Sequence, residues 1–203
     1  MKITILLVLI SLVAACGPTS NTSRTGANAE VRKGVTPVAD SEIAVIEMEN
    51  AGAYGTIKIE LYSNIAPKMV ARFKELAREG FYHGVTFHRI NPSVIQGGDP
   101  LSKDGDPSND GTGQSDKPNV AAEFSDILYD TGIVGAARSQ DPNSANSQFF
   151  ITLKREQGFD NKYTIFGKVI DGMNNVRTIS GAPKVDERPI EPVTIKTIRI
   201  EPK

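Results

Sequence analysis

Tryptophan is absent from this chain, cysteine occurs once and histidine twice. A single cysteine excludes an intramolecular disulfide framework and any zinc site built on several thiolates. Two histidines exclude a three-histidine metal centre. Neither sign of charge dominates: 23 Lys and Arg stand against 24 Asp and Glu, a net charge of −1. Domains that bind nucleic acid through bulk charge usually carry a basic excess, so no nucleic-acid partner is expected. Aromatic residues are few, eight Phe and five Tyr, so any aromatic surface must come from a handful of positions. What remains is the ordinary material of one globular domain: 203 residues, 39% hydrophobic and 23% charged.

Met1 and Lys2 precede an almost unbroken apolar run from Ile3 to Val13. The run is shorter than the ~20 residues a spanning helix needs and has the layout of a secretory signal. It ends in Val13-Ala14-Ala15-Cys16-Gly17, which resembles the bacterial lipoprotein box. That resemblance implies cleavage before Cys16, lipidation of its thiol and a lipid anchor of several acyl chains, enough for stable attachment. From Gly17 to Ser41 the chain is rich in Ser, Thr, Asn, Gly and Ala and has no aromatic residue, a composition that reads as a flexible tether. The expected organisation is therefore a signal peptide over 1–15, a lipidated N-terminus and linker over 16–41, and one domain over 42–203. The expected location is the cell envelope, facing the periplasm or exterior, with Gly17 pointing to the outer membrane if the cell has two.

The domain opens with strands. Ile43 to Met48 is apolar and β-branched; Gly55 to Tyr62 alternates, with Ile57, Ile59 and Leu61 on one face. Glu49 to Gly52 reads as the hairpin turn between them. Pro67 starts a helix with Met69, Val70, Phe73, Leu76 and Ala77 on one stripe and Gly80 past its end. Further strands are predicted at 85–90, 94–98, 133–137, 149–153, 164–170 and 193–200, with a short helix at 173–179. In the last strand the apolar phase flips between Ile195 and Ile198, which predicts a bulge near Lys196-Thr197. Many short strands with two distant helices point to a closed antiparallel barrel, although periodicity alone does not choose it over a sandwich.

Four blocks occur in order: Phe87-His88-Arg89-Ile90, Gln96-Gly97-Gly98-Asp99, Ser147-Gln148-Phe149-Phe150-Ile151 and Phe166-Gly167-Lys168-Val169. Together, over residues 43 to 200, they resemble the cyclophilins, a family of peptidyl-prolyl cis–trans isomerases. The resemblance implies a mainly β fold, a closed eight-stranded antiparallel barrel capped by two helices. It also implies action on proline-containing polypeptides.

Rotation about a peptide bond costs about 18–20 kcal/mol because amide resonance is lost in the twisted state. The two X–Pro isomers are nearly balanced, so a catalyst needs only to lower the barrier. The planar amide is more charge-separated than the twisted one, so an apolar hollow favours the twist, and the prolyl nitrogen regains a lone pair that a fixed donor can stabilise. No cofactor, metal or nucleophile is called for. By the resemblance Arg89 is that donor and Gln96 holds it. Phe150 and Val94 floor the hollow, with Phe159 and Tyr163 in the substrate-binding set. Ala137 and Thr112, the latter in Gly111-Thr112-Gly113, belong to a neighbouring groove for residues before the proline. Phe149 is expected in the barrel core and His88 as a structural strand residue.

The chain departs from the family pattern at several positions. Gly158 stands where tryptophan is common and Tyr163 where histidine is. Ser93 stands where a pocket phenylalanine is common, in a segment one residue short, and Ala136 where methionine is usual; together these predict a wider pocket. The loop from Asp104 to Gly111 looks like a calcium loop only superficially, since it lacks glycine at the sixth position and glutamate at the twelfth. The expected function is isomerisation that assists folding of secreted or envelope proteins, by a monomer. The alternative is a module that holds proline segments without turning them over.

Overall fold

A computed structural model describes residues 29–203; the apolar run, Cys16 and the first part of the expected tether lie outside the described residues. In chain order the strands are β1 (Val31–Arg32), β2 (Glu42–Met48), β3 (Thr56–Leu61), β4 (Arg89–Ile90), β5 (Val94–Gly97), β6 (Phe124–Ser125), β7 (Ile133–Ala136), β8 (Phe149–Thr152), β9 (Ile165–Asp171), β10 (Lys184–Val185), β11 (Arg188–Pro189) and β12 (Ile195–Pro202). The helices are α1 (Ala51–Tyr54), α2 (Pro67–Arg78) and α3 (Met173–Ser180). Eight strands form one curled antiparallel sheet in the order β12-β2-β3-β9-β7-β8-β5-β4. Its outer strands β4 and β12 do not ladder onto each other. The edges meet instead at a short seam, where Gly84 N donates to Ile195 O (2.9 Å), Ile195 N to Val85 O (2.8 Å) and Phe87 N to Val193 O (3.0 Å). Closure is thus local, and the strand expected over 85–90 is regular only at Arg89–Ile90.

Alternation along the strands sorts side chains to the two faces. Ile57, Ile59 and Leu61 of β3 point inward and are fully buried. Helix α2 supplies Met69, Val70, Phe73, Leu76 and Ala77 to the same interior cluster, and α3 supplies Val176 and Ile179. Pro67 sits at the start of α2, but Ala66 at its N-cap has only a methyl group and accepts no hydrogen bond through its side chain. Glu123, distant in sequence, takes that role: its carboxylate accepts from Lys68 N (3.1 Å) and Met69 N (3.0 Å). Caps of this kind contribute about 0.5–2 kcal/mol. The predicted bulge is present, as a register shift between Ile195 and Thr197. The expected hairpin turn at 49–52 is replaced by the single turn α1, capped by the Asn50 side chain on Ala53 N (3.2 Å).

The expected tether is corrected for its described part. Residues 29–41 lie along the domain: β1 pairs in parallel with β6, and Arg32 donates to the carbonyls of Ile65 (2.6 Å) and Asn64 (3.0 Å). Asn64 returns two bonds, accepting from Val38 N (3.0 Å) and donating to Thr36 O (2.9 Å). Asp40 accepts from Ser63 N (3.1 Å) and Lys74 Nζ (2.7 Å). Composition misled because polar side chains and backbone groups, rather than a large apolar face, make this attachment; only Val35 and Ala39 add apolar packing.

Candidate active site

One row of residues runs across four strands. Arg89 of β4 lies opposite Gln96 of β5, Gln96 opposite Phe150 of β8, and Phe150 opposite Gly135 of β7. Residues directly opposite share a face, so this row lies on the outside of the sheet. The neighbouring row, Ile90, Ile95, Ile151 and Val134, points into the interior and is fully buried. Strand alternation thus explains how an arginine stands inside an apolar sequence. Phe149 faces the core, against Phe73, Tyr82 and Phe87, while Phe150 faces out.

The Arg89 guanidinium is held from two sides. Its Nε donates to Glu187 Oε2, and its Nη1 donates to Gln96 Oε1 at 3.3 Å. Gln96 Nε2 donates to Gln148 Oε1 (2.9 Å), and Gln148 Nε2 donates to the carbonyls of Gly111 (3.0 Å) and Gly113 (2.8 Å). A cation at one end and two carbonyls at the other leave one sensible orientation for both amides. Glu187 is fixed in turn: its backbone carbonyl accepts from Ile90 N (2.6 Å) and its Oε1 from Asn91 Nδ2 (3.0 Å). The hydrogen bond from Arg89 lowers the Glu187 pKa, against burial, with Asn91 assisting. The carboxylate is ionised at neutral pH and Arg89 keeps N–H donors without a protein partner among the described residues.

Beside this row lies an aromatic cluster. Phe150, only 4% exposed, stacks on Tyr129 (5.8 Å, 27°) and meets Phe159 (5.5 Å) and Tyr163 (5.7 Å) edge to face. Val94 joins the same outer cluster and is buried; Phe159, Tyr163 and Ala137 pack against it half-buried. Arg138 lies over the Tyr163 ring at 4.5 Å. Glycine at 135 makes the stack possible, since a Cβ there would sit 2.7 Å from the Tyr129 hydroxyl and closer still to the Phe150 ring. A hollow of about 340 Å³ adjoins Gln96 and contains Thr112 and Ala137 in its lining. Arg89, Gln96, Phe150, Val94, Phe159, Tyr163, Ala137 and Thr112 therefore converge on one face.

Two departures act differently from expectation. Ala136 is buried in the interior cluster, so it does not widen the outer hollow. Ser93 is drawn aside, its Oγ donating to Glu156 Oε1 (2.7 Å). Gly158 has no neighbour close to where a side chain would begin, which leaves that rim open. Sequence reasoning missed Glu187 and Tyr129. Glu187 lies 98 residues from Arg89, and no local pattern marks it. Tyr129 is a lone tyrosine outside every block.

A family model for cyclophilin type peptidyl-prolyl cis-trans isomerases (with CLD) matches residues 45–200. A probable peptidyl-prolyl cis-trans isomerase of Brucella suis is 46% identical over 130 residues, covering 62% of this chain and 66% of that protein. The match thus spans just under two thirds of that relative's length. A peptidyl-prolyl cis-trans isomerase of Schizosaccharomyces pombe is 39% identical over 162 residues, covering 75% of this chain and 96% of that protein. Among solved structures, a cyclophilin type peptidyl-prolyl cis-trans isomerase of Cryptosporidium parvum, crystallised in the presence of the dipeptide Ala-Pro, shares 32% identity. Its TM-score is 0.70, over 79% of this chain and 99% of that one. With this fold, these blocks and these relatives, the chain belongs to the cyclophilin-type peptidyl-prolyl cis–trans isomerase family.

Proposed function

We propose that this domain catalyses cis–trans isomerisation of X–Pro bonds in polypeptides. The observation that carries the reading is the Arg89 guanidinium, aimed by Gln96 and Glu187 and set on the same sheet face as the Phe150 aromatic cluster. In this reading the proline ring enters the hollow over Phe150 and Val94, walled by Phe159 and Tyr163. Arg89 donates to the prolyl nitrogen as it pyramidalises, and Gln96 holds the guanidinium while facing the substrate backbone. Ala137 and Thr112 line the groove for the residues before the proline. The relative crystallised with Ala-Pro supports a proline-containing ligand. Proline isomerisation takes roughly 10–100 s unaided. Exchange NMR on a proline peptide with catalytic amounts of protein is expected to show cis and trans signals merging. Sharp, separate signals on a peptide that binds would establish the passive holder instead, a reading favoured by the open rim at Gly158.

We further propose that the protein works in the cell envelope on secreted or envelope chains, tethered through Cys16. The support is sequence alone: the apolar run and Val13-Ala14-Ala15-Cys16. Mass spectrometry of protein from its native host is expected to find an N-terminal Cys16 carrying acyl chains; an unmodified thiol there removes the anchor.

A further inference from the structure

On the side of Arg89 away from Phe150 a cavity of about 860 Å³ opens between the 105–111 loop and the β10–β11 hairpin. Arg89 and Gln96 form part of its wall, so it is continuous with the site above. Its base is apolar, with Phe87 and Val193 buried beneath it, and Val185 and Ile190 stand on its rim, 65% and 60% exposed. His88 also lines it. That ring is 6% exposed and neither nitrogen has a hydrogen-bond partner. An orphaned buried polar group costs about 1–3 kcal/mol, and here both nitrogens lie in the cavity wall, with Nε2 toward Gly111. The Thr86 backbone is near but outside hydrogen-bonding geometry. Burial lowers the His88 pKa, chiefly against Asp99.

The charge around the cavity is one-sided. Asp106 and Asp110 line it from the loop, Asp186 and Glu187 from the hairpin, facing only Arg89 and Arg188. Arg89 is engaged by Glu187, and Arg188 lies 3.7 Å from Asp110. Asp106 and Asp186 have no cationic partner among the described residues. Burial raises the Asp110 pKa, and the nearby Asp99, Asp104 and Asp106 push the same way against Arg188. The cavity therefore attracts a cation and offers apolar surface for its stem.

We infer that this cavity is a second subsite of the polypeptide-binding face, which takes a lysine or arginine flanking the proline. The inference rests on the isomerase reading for the placement of the proline. The long side chain lays its methylenes on the apolar base and carries its charge to the Asp106 and Asp186 rim. The peptide backbone beside it crosses the wall that His88 and Gly111 form. A separate small ligand fits less well, because the cavity opens onto Arg89 itself and an extended chain advances roughly 3.3–3.6 Å per residue from the hollow.

The test is a set of Ala-Pro peptides in which lysine or glutamate is walked through three positions on each side of the proline. Each is titrated into ¹⁵N-labelled protein and also assayed for turnover. At one flanking position or more, lysine is expected to bind about two- to five-fold more tightly than glutamate, the range for partly exposed charge pairs. Amide shifts should appear at His88, Gly111 and Arg188. In the double variant Asp106→Asn, Asp186→Asn that preference should vanish while the all-alanine peptide binds and turns over as before. Asparagine suits position 186, where the backbone is left-handed (φ 55°). Equal affinity for lysine and glutamate at every position, or a preference that survives the double variant, overturns the subsite. Normal turnover with no charge preference sinks the subsite alone. Absence of turnover with every peptide sinks the isomerase reading, and the titration, which needs no turnover, still decides the subsite.

Discussion

Arg89→Ala is expected to lower kcat/KM for a proline peptide by about one to two decades, the equivalent of one charge-assisted hydrogen bond of roughly 1.5–3 kcal/mol. Thermal stability should stay within about 0.5 kcal/mol of the parent, because the side chain is 47% exposed and fills no core space. Arg89→Lys should not restore the rate. Lysine keeps the charge but cannot bond Glu187 and Gln96 through one rigid fork while offering a further donor. A protease-coupled assay beside a thermal melt reads both quantities. An unchanged rate in Arg89→Ala would show that the guanidinium does no chemistry, and the proposed mechanism would fall with it.

Phe73→Ala should do the opposite. Phe73 is fully buried, with ring centres 5.2 Å from Phe166, 5.3 Å from Tyr82 and 5.5 Å from Phe149. Its loss removes apolar burial and leaves a cavity among rings that pack tilted (Tyr82, Phe166) and edge to face (Phe149) against it. The expected cost is about 3–5 kcal/mol, a fall of roughly 6–20 °C in Tm for a domain of this size. KM measured well below the new midpoint should be unchanged, because Phe149 transmits to the inner face of β8 while Phe150 stands on the outer one. Chemical denaturation gives the energy directly. A loss below about 1 kcal/mol would mean that the neighbouring rings close the gap, although they are anchored separately on β8, β9 and the turn at Tyr82.

These two expectations separate the faces of one sheet, and the separation was readable in advance. Helix α2 was legible to the residue: the Pro67 start and the apolar stripe that ends at Ala77 both stand as predicted. The bulge in β12 was legible because an apolar alternation that changes phase has no other way to keep Ile195 and Ile198 on the core side. Phe149 and Phe150 could be assigned to opposite faces for the same reason. The attachment of residues 29–41 could not be foreseen. It depends on side chains of Asn64, Asp126 and Lys74 that meet the segment only after folding. Glu123 as the cap of α2 is of the same kind, since a cap supplied from 55 residues away leaves no local signature.

Read along the chain alone, periodicity and four ordered blocks establish a mainly β domain with Arg89, Gln96 and Phe150 on it, because strand alternation is a local property. They say nothing of what holds Arg89 in aim or what lies beyond it. Glu187, Tyr129 and the acidic cavity with its unpartnered His88 come from strands and loops that only the curl of the sheet brings together. Local backbone preference decides which way a side chain faces; which distant side chain it then faces is decided by tertiary packing.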